Sequence, residues 1–540
     1  MRIRRGGKFA GCTAALCLLA VLALCGCQKK QAALPPDFGG KKVLRVAVVQ
    51  PGACLDVQRS DNPEVSLIAD EVAEGLFRFT DERLLEPALA EDFPEISEDG
   101  LEYRFVLKPG LCFSDGTALT AEDVRFSLTR LLSPETASPA ATYFSMIDGA
   151  LEVQRGESRV LRGITVQDDR HFTVRLQYPY APFLKNLGLS AAAVYPKAAC
   201  EAAGDGWGKQ GKLLGAGPFL LKEQGARECV LVRNEKYHGT AAKLDELRVL
   251  YYKNDGQRLA AYRHNKVDFT AINAAQYRRC KKTLEDEVHI HHPVALISLR
   301  MNLRSAKLKN SRLRWAMTVG LARRRCIDKA LDGAGLPASS LLHIRVPGHN
   351  NARNQNYYDY KRAREAVEEA GYYGGQITLT AVVPRQNLKF MREVKREWEK
   401  VGIGLKLEGA DEARCAEALT DPQVDLVWQE NWYPYPEGDQ ALYPYFHSAN
   451  LPADALFGRS AEVDRWLDDA RREPYEPDRA VFYAKADQLL SKDDCMAIPL
   501  YYPQCQYLMK PYVKKQWSGN LIYHFWDTDI EETSQEVAKP

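Results

Sequence analysis

Apolar residues fill the chain from Val43 to Val49 with Arg45 as the only interruption, the pattern of a strand buried on one or both faces. The spacing then changes. Val65, Leu67, Ile68, Val72 and Leu76 recur at helical intervals. Leu101 to Leu107 alternates and reads as a strand, while Pro109-Gly110 and Asp115-Gly116 mark turns. Thr120 caps a helix through Leu132, with Glu122 and Asp123 in the first turn, where the helix dipole favours anions. Strand patterns follow at 163–167 and 171–176, and another begins at Gly217-Pro218-Phe219. The clearest unit spans 376–408. Ile377, Leu379 and Ala381 alternate, Leu388, Met391, Val394 and Trp398 line one helix face, and Ile403, Leu405 and Leu407 alternate again. Strand, helix and strand in one sheet require a right-handed crossover and a parallel or mixed sheet. An α/β or α+β protein is expected.

One apolar run fits neither period. Phe9 to Leu24 follows Arg2, Arg4, Arg5 and Lys8 and ends in Leu24-Cys25-Gly26-Cys27. A basic head, a short apolar stretch and a small residue before cysteine resemble a bacterial lipobox, in which Cys27 is lipidated and becomes the new N-terminus. An uncleaved anchor is the alternative, but the run is short against the ~20 residues that span a bilayer. Residues 1–26 are thus read as a lipoprotein signal peptide. Residues 27–41, polar and bearing Pro35-Pro36 and Gly39-Gly40, are read as a flexible tether. The body is expected on the extracytoplasmic face of a membrane, touching it only through the lipid at Cys27; more than one acyl chain makes such anchoring stable.

A chain of 540 residues with 45% hydrophobic and 27% charged residues can build two or more domains with their own cores. Its formal charge is +2, and Arg2, Arg4, Arg5 and Lys8 belong to the leader, so the body is near neutral and has no electrostatic case for nucleic acid. The cysteines after Cys27 are nine, an odd number, with no CxxC pair and no zinc spacing. Most are read as small buried hydrophobes. His289 and His291 share one strand face, but two imidazoles lack the remaining ligands of a metal site; a solvated face is expected and no metal is assigned. There is no GxSxG, HExxH or P-loop, and the acidic stretches Glu91-Asp92, Glu285-Asp286-Glu287 and Asp468-Asp469 read as solvated faces. No catalytic residue or cofactor is assigned. An extracellular hydrolase stays as a minor alternative, because two carboxylates ~5 Å apart leave no trace in sequence.

Several phrases point further. Phe113-Ser114-Asp115-Gly116-Thr117 leads into Thr120-Ala121-Glu122-Asp123-Val124; Gly215-Ala216-Gly217-Pro218-Phe219 is followed by Arg233-Asn234-Glu235-Lys236-Tyr237. Leu313-Arg314-Trp315-Ala316-Met317, Tyr358-Asp359-Tyr360 through Ala370-Gly371-Tyr372, and Ile498-Pro499-Leu500-Tyr501-Tyr502 come next. In this order, over residues 43–528, they resemble the large extracytoplasmic solute-binding proteins of ABC importers, the family 5 class that includes oligopeptide and dipeptide binders. The resemblance implies a two-lobed α/β flytrap, periplasmic-binding-protein-like (type II, cluster C), with an extra subdomain in lobe I. Lobe I is expected at 42–270, its subdomain at about 62–170, lobe II at 271–497, and a return to lobe I over 498–540. Crossovers are expected near Ala271-Ile272-Asn273 and Met496-Ala497-Ile498. The implied partners are a short peptide or other small solute and the ABC permease subunits, with the receptor a monomer.

Asp425 to Gly438, reading D-L-V-W-Q-E-N-W-Y-P-Y-P-E-G, resembles the family loop D-L…W-x-x-D-Y-P-D-P. In the peptide binders of the family the aspartate before Tyr-Pro pairs with the ligand's α-ammonium. Counted from Trp428 its place is taken by Asn431; aligned on Tyr433-Pro434 it is taken by Trp432, and neither carries negative charge. Either Glu437 or Asp439 takes over the ammonium, or the ligand has no such group there and Trp432, Tyr433 and Tyr435 form a stacking or cation–π platform. Against both stand plain packing for the aromatics and a solvated loop for the carboxylates. Asn302 resembles an asparagine that ends a strand near the cleft, with a turn-forming amide as its alternative. The expected function is a lipid-anchored receptor that delivers a small solute, foremost a short peptide, to an importer. A sugar, amine or metal complex in the same fold, or a lipoprotein receptor without transport, are the alternatives.

Overall fold

The computed structural model describes residues 35–80, 84–352, 357–373, 377–451, 460–515 and 524–531. The expected signal peptide, Cys27 and the tether as far as Leu34 lie outside the described residues. Among the described residues no helix is long and apolar enough to cross a membrane.

Two large sheets organise two lobes. The first has seven strands in the spatial order 288–291, 505–509, 269–272, 43–49, 246–252, 228–233, 219–224. Val43–Val49 sits inside it, parallel to strands on both sides, which is why its residues are apolar on both faces. Arg45 is the exception, and Asp268 accounts for it: the carboxylate accepts from Arg45 Nε at 3.0 Å and from its Nη2 at 2.5 Å. The second sheet has six strands, ordered 335–337, 497–503, 295–301, 426–432, 377–384, 403–410. Ile377–Pro384 and Ile403–Ala410 run parallel in a continuous register, joined by the helix Leu388–Glu399, as their alternation predicts. Trp398 from that helix is fully buried and donates its indole N–H to the Met317 carbonyl at 2.9 Å.

The chain changes sheets later than the sequence reading places it. Phe269–Ile272 and Val288–His291 both pair with Cys505–Met509 in the first sheet, and the second sheet starts at Ala295. Ala497–Pro503 belongs to the second sheet, so the return falls at Gln504. An apolar run announces a strand, but the sheet it joins depends on partners hundreds of residues away.

A four-stranded sheet, 95–96, 102–106, 171–175 and 164–166, forms the extra subdomain with the helix Ala121–Leu132. Its core runs from Leu76 to Val194 and takes in Ala216, past the expected end at 170. Helix Pro63–Val72 instead buries Val65, Leu67, Ile68 and Val72 in the core of the first lobe. The extension matters because Tyr180 to Asn186 meet the second lobe.

Candidate functional site

The segment singled out in the sequence begins as the strand Leu426–Trp432, antiparallel to Ala295–Met301 over seven pairs. Leu426 and Trp428 point into the second-lobe core, where Trp428 packs against Phe390 and Tyr501. Trp428 and Asn387 both donate to Glu430 Oε1, at 2.8 and 2.6 Å. Asn431 is buried, and Trp432, the last residue of the strand, is 40% exposed. The chain then turns and enters the helix Gly438–Phe446.

Glu437 and Asp439 are both paired with cations of the protein itself. Glu437 is buried and accepts from Lys185 Nζ at 2.6 Å and from Arg479 Nε at 3.3 Å. Burial pushes its carboxyl up, but Lys185 and Arg479 outweigh that and hold it below its ordinary value. Asp439, also buried, takes a bidentate pair from Arg471 at 2.7 and 3.1 Å and the hydroxyl of Tyr180 at 2.8 Å. The Arg471 guanidinium lies 3.0 Å from the Tyr443 ring centroid and 5.2 Å from that of Tyr180. These partners stand 32 to 259 positions away along the chain, so the loop sequence carries no sign of them.

The three aromatics do not make one platform. Tyr433 is buried in the second-lobe core. Tyr435 is fully buried between the lobes, stacked on Phe79 with ring centroids 5.6 Å apart and planes at 23°. Its hydroxyl donates to Asn186 Oδ1 and accepts from Gln440 Nε2 at 3.0 Å. Trp432 alone offers a large free face. Asn302 lies at the far end of the strand pair, because Met301 opposes Leu426 while Ala295 opposes Trp432; six residues of strand separate them by roughly 20 Å. The Asn302 side chain is spent on a turn, accepting from Arg304 N and Ser305 N and donating to the Val424 carbonyl. His291 is buried rather than on a solvated face, and His289 stacks on Tyr507. Among the described residues no three His, Cys, Asp or Glu side chains gather as metal ligands.

Across from Trp432's loop, the first lobe offers a group of carboxyls that the sequence reading passed over. Helix Pro63–Val72 starts on Asn62, whose side chain accepts from Glu64 N, and ends at Ala73. A Cβ on Gly75 would come within 2.9 Å of the Leu187 carbonyl, so only glycine lets the 187–192 segment cross here. That crossing puts Ser190 Oγ 2.8 Å from Asp70 Oδ2. Desolvation raises the Asp70 carboxyl to about 7, partly offset by Ser190. Glu71, fully buried, accepts from Phe525 N at 2.5 Å, and burial raises it to about 8. Glu74 differs: His238, Tyr237 and Arg78 all donate to it, and they bring it below its ordinary value against the cost of burial.

A carboxyl raised on folding binds its proton more tightly in the folded chain. Stability from Asp70 and Glu71 is therefore full below about pH 4 and is lost as pH climbs through about 7 to 8. The urea midpoint of the unliganded protein should fall less between pH 5 and pH 8 in Glu71→Gln than in wild type. An equal fall would show that Glu71 does not titrate there.

The model of the Bacterial extracellular solute-binding proteins, family 5 Middle, matches residues 85–452, more than half of the chain. The periplasmic oligopeptide-binding protein OppA of Escherichia coli (strain K12) is 24% identical over 85% of this chain and 87% of its own. The probable deoxycholate-binding periplasmic protein YgiS of the same strain is 26% identical, over 85% of this chain and 88% of its own. Among solved structures, the unliganded open form of the periplasmic murein tripeptide binding protein MppA superposes with a TM-score of 0.81 at 21% identity, covering 93% of this chain and 99% of its own.

Proposed function

The chain belongs to family 5 of the bacterial extracellular solute-binding proteins, and from that membership we propose that it captures a short peptide between its lobes and delivers it to the permease of an ABC importer. What carries this reading is similarity along most of its length to a relative named for oligopeptide binding. Capture by lobe closure is a two-state change biased by contacts that exist only in the closed form. We place the hinge at 292–294 and at Gln504, where the chain passes between the sheets. In the same reading Cys27 carries the lipid, residues 27–41 act as the tether, and a monomeric body works on the extracytoplasmic face beside its permease.

A ligand that binds only the folded protein raises its melting temperature by mass action. A pool of tri- to pentapeptides should raise it, and a set of sugars should not. A rise with deoxycholate and none with peptides would overturn the peptide reading in favour of a non-peptide solute, a reading prompted by the similarity to YgiS. Trp432 is the exposed aromatic of the second-lobe strand. An aromatic contact contributes ~0.5–1.5 kcal/mol, so Trp432→Ala should weaken peptide binding by up to roughly tenfold while leaving the melting temperature of the free protein unchanged. Unchanged affinity would place Trp432 outside the site.

A further inference from the structure

Asp70 differs from Glu74, Glu437 and Asp439, the ion-paired carboxyls near the junction of the lobes. Glu437 and Asp439 on the second lobe are neutralised by Lys185, Arg479 and Arg471. Glu74 is filled by three donors. Asp70, by contrast, accepts from Ser190 alone among the described residues. An ionised carboxylate has about four acceptor positions, so most of its capacity is unspent. It also lines a cavity of about 50 Å³, together with Phe77, Phe79, Arg78, His524 and Trp526. One water needs ~10–15 Å³ on this measure, so the cavity takes a small polar head group with a methylene or two, not a whole residue.

We propose that this cavity is the subsite for a cationic group of the ligand, a primary ammonium or a guanidinium, with Asp70 as its counter-ion. The inference rests on the solute-binding reading above and adds the charge of the cargo. Three further features fit. Among the described residues the one cation lining the cavity, Arg78, is pinned by Glu86 at 2.6 Å and by Glu74, and lies over the Trp526 ring at 4.8 Å, so it does not neutralise Asp70. His524 is held neutral by burial, its value driven down to about 3, and its Nδ1 has no hydrogen-bond partner among the described residues. A neutral imidazole nitrogen can accept from an ammonium. The aromatic walls add cation–π attraction.

The position also couples the cavity to closure. Phe79 and Leu189 line the cavity and pack on Tyr435 from the second lobe. A Cβ on Gly188 would meet the Phe79 ring at 3.0 Å, so glycine is what lets Phe79 lie between the cavity and Tyr435. A cation arriving at Asp70 therefore sits one ring away from the contact between the lobes. Binding also draws the Asp70 carboxyl toward its ionised form, so affinity for a cation rises with pH through about 7. Among the described residues, Glu71, Glu74, Arg78 and His524 also face this helix end, with Tyr195 beside Asp70, Lys515 and Asp527 beside Glu71, and Tyr237 and His238 on Glu74.

The test compares wild type with Asp70→Asn, which keeps the size and the Ser190 hydrogen bond. Three tetrapeptide pools serve as probes: free at all amines, acetylated at the α-amine but retaining lysine and arginine, and acetylated at every amine with arginine left out. Isothermal titration at pH 8 should show an amine-bearing pool bound at least tenfold tighter than the fully blocked pool by wild type. Asp70→Asn should erase that difference and leave the blocked pool unchanged. Which amine-bearing pool shows it separates an α-ammonium from a side-chain cation. A preference that survives in Asp70→Asn overturns the proposal. If no peptide pool binds wild type, the peptide reading fails by itself, and putrescine, spermidine and agmatine become the probes. Binding of one of them that Asp70→Asn loses sustains the subsite, and binding of none overturns it. Circular dichroism checks the fold, and Asp70→Ser repeats the comparison if the asparagine variant is misfolded.

Discussion

Asp439→Ala should destabilise the second lobe by about 3–5 kcal/mol, the usual cost of breaking a buried ion pair. Asp439 is 2% exposed, and it is the partner of Arg471 at both carboxylate oxygens. Removing it leaves a guanidinium stacked on Tyr443 and near Tyr180 without a counter-ion. The hydroxyl of Tyr180 loses its acceptor as well. The readout is the urea midpoint of the lobe. A double variant, Asp439→Leu with Arg471→Met, should recover most of the loss, because an apolar pair of similar size carries no desolvation penalty. A single variant within about 1 kcal/mol of wild type would mean that the pair behaves as a surface salt bridge, and it would return Asp439 to the set of residues open to a ligand.

The second large effect is on the contact between the lobes. Tyr435→Ala removes a fully buried ring, and truncating a buried aromatic costs about 3–5 kcal/mol. It also leaves the Asn186 side chain, itself fully buried, without the hydroxyl it now accepts from. Because Phe79 lies on the strand whose Phe77 enters the subdomain core, Asn186 donates to the Tyr143 carbonyl of that subdomain, and Tyr435 sits on the second-lobe loop, the loss falls on lobe–lobe contact rather than on either core. We expect a larger radius of gyration by small-angle scattering, with unchanged unfolding of the individual lobes. Tyr435→Phe keeps the stack and isolates the hydroxyl, whose loss should cost about 1–2 kcal/mol. If Tyr435→Ala leaves the scattering profile as it was, the salt bridges of Lys185 with Glu437 and Glu476 hold the lobes together without it.

These two variants and Asp70→Asn separate three roles that the loop sequence runs together. Asp439 braces the second lobe, Tyr435 joins the lobes, and the proposed charge selection sits across the junction on the first lobe. A loop with two carboxylates and three aromatics looks like a binding site whichever of these it serves. Residue type alone does not distinguish a carboxylate that awaits an ammonium from one already paired with arginine.

Along the chain, local rules carry far. Alternation at Ile377–Ala381 and Ile403–Leu407 around the Leu388–Trp398 stripe marks the parallel unit of the second sheet, because side-chain periodicity follows directly from backbone geometry. The run at Val43–Val49 marks a strand flanked on both sides. The ordered phrases from Phe113 to Tyr502 point to the family and its two-lobed fold. The partner of each charge is a different kind of fact. Lys185 meets Glu437 across 252 positions, and Asp70 sits under Ser190 only because Gly75 lets two backbones cross. By itself the sequence determined the elements, the fold and the family, since these follow from short-range periodicity and ordered motifs. Only the tertiary structure decided which carboxylates are spent and which remains open, since pairing and desolvation depend on groups that folding alone brings together.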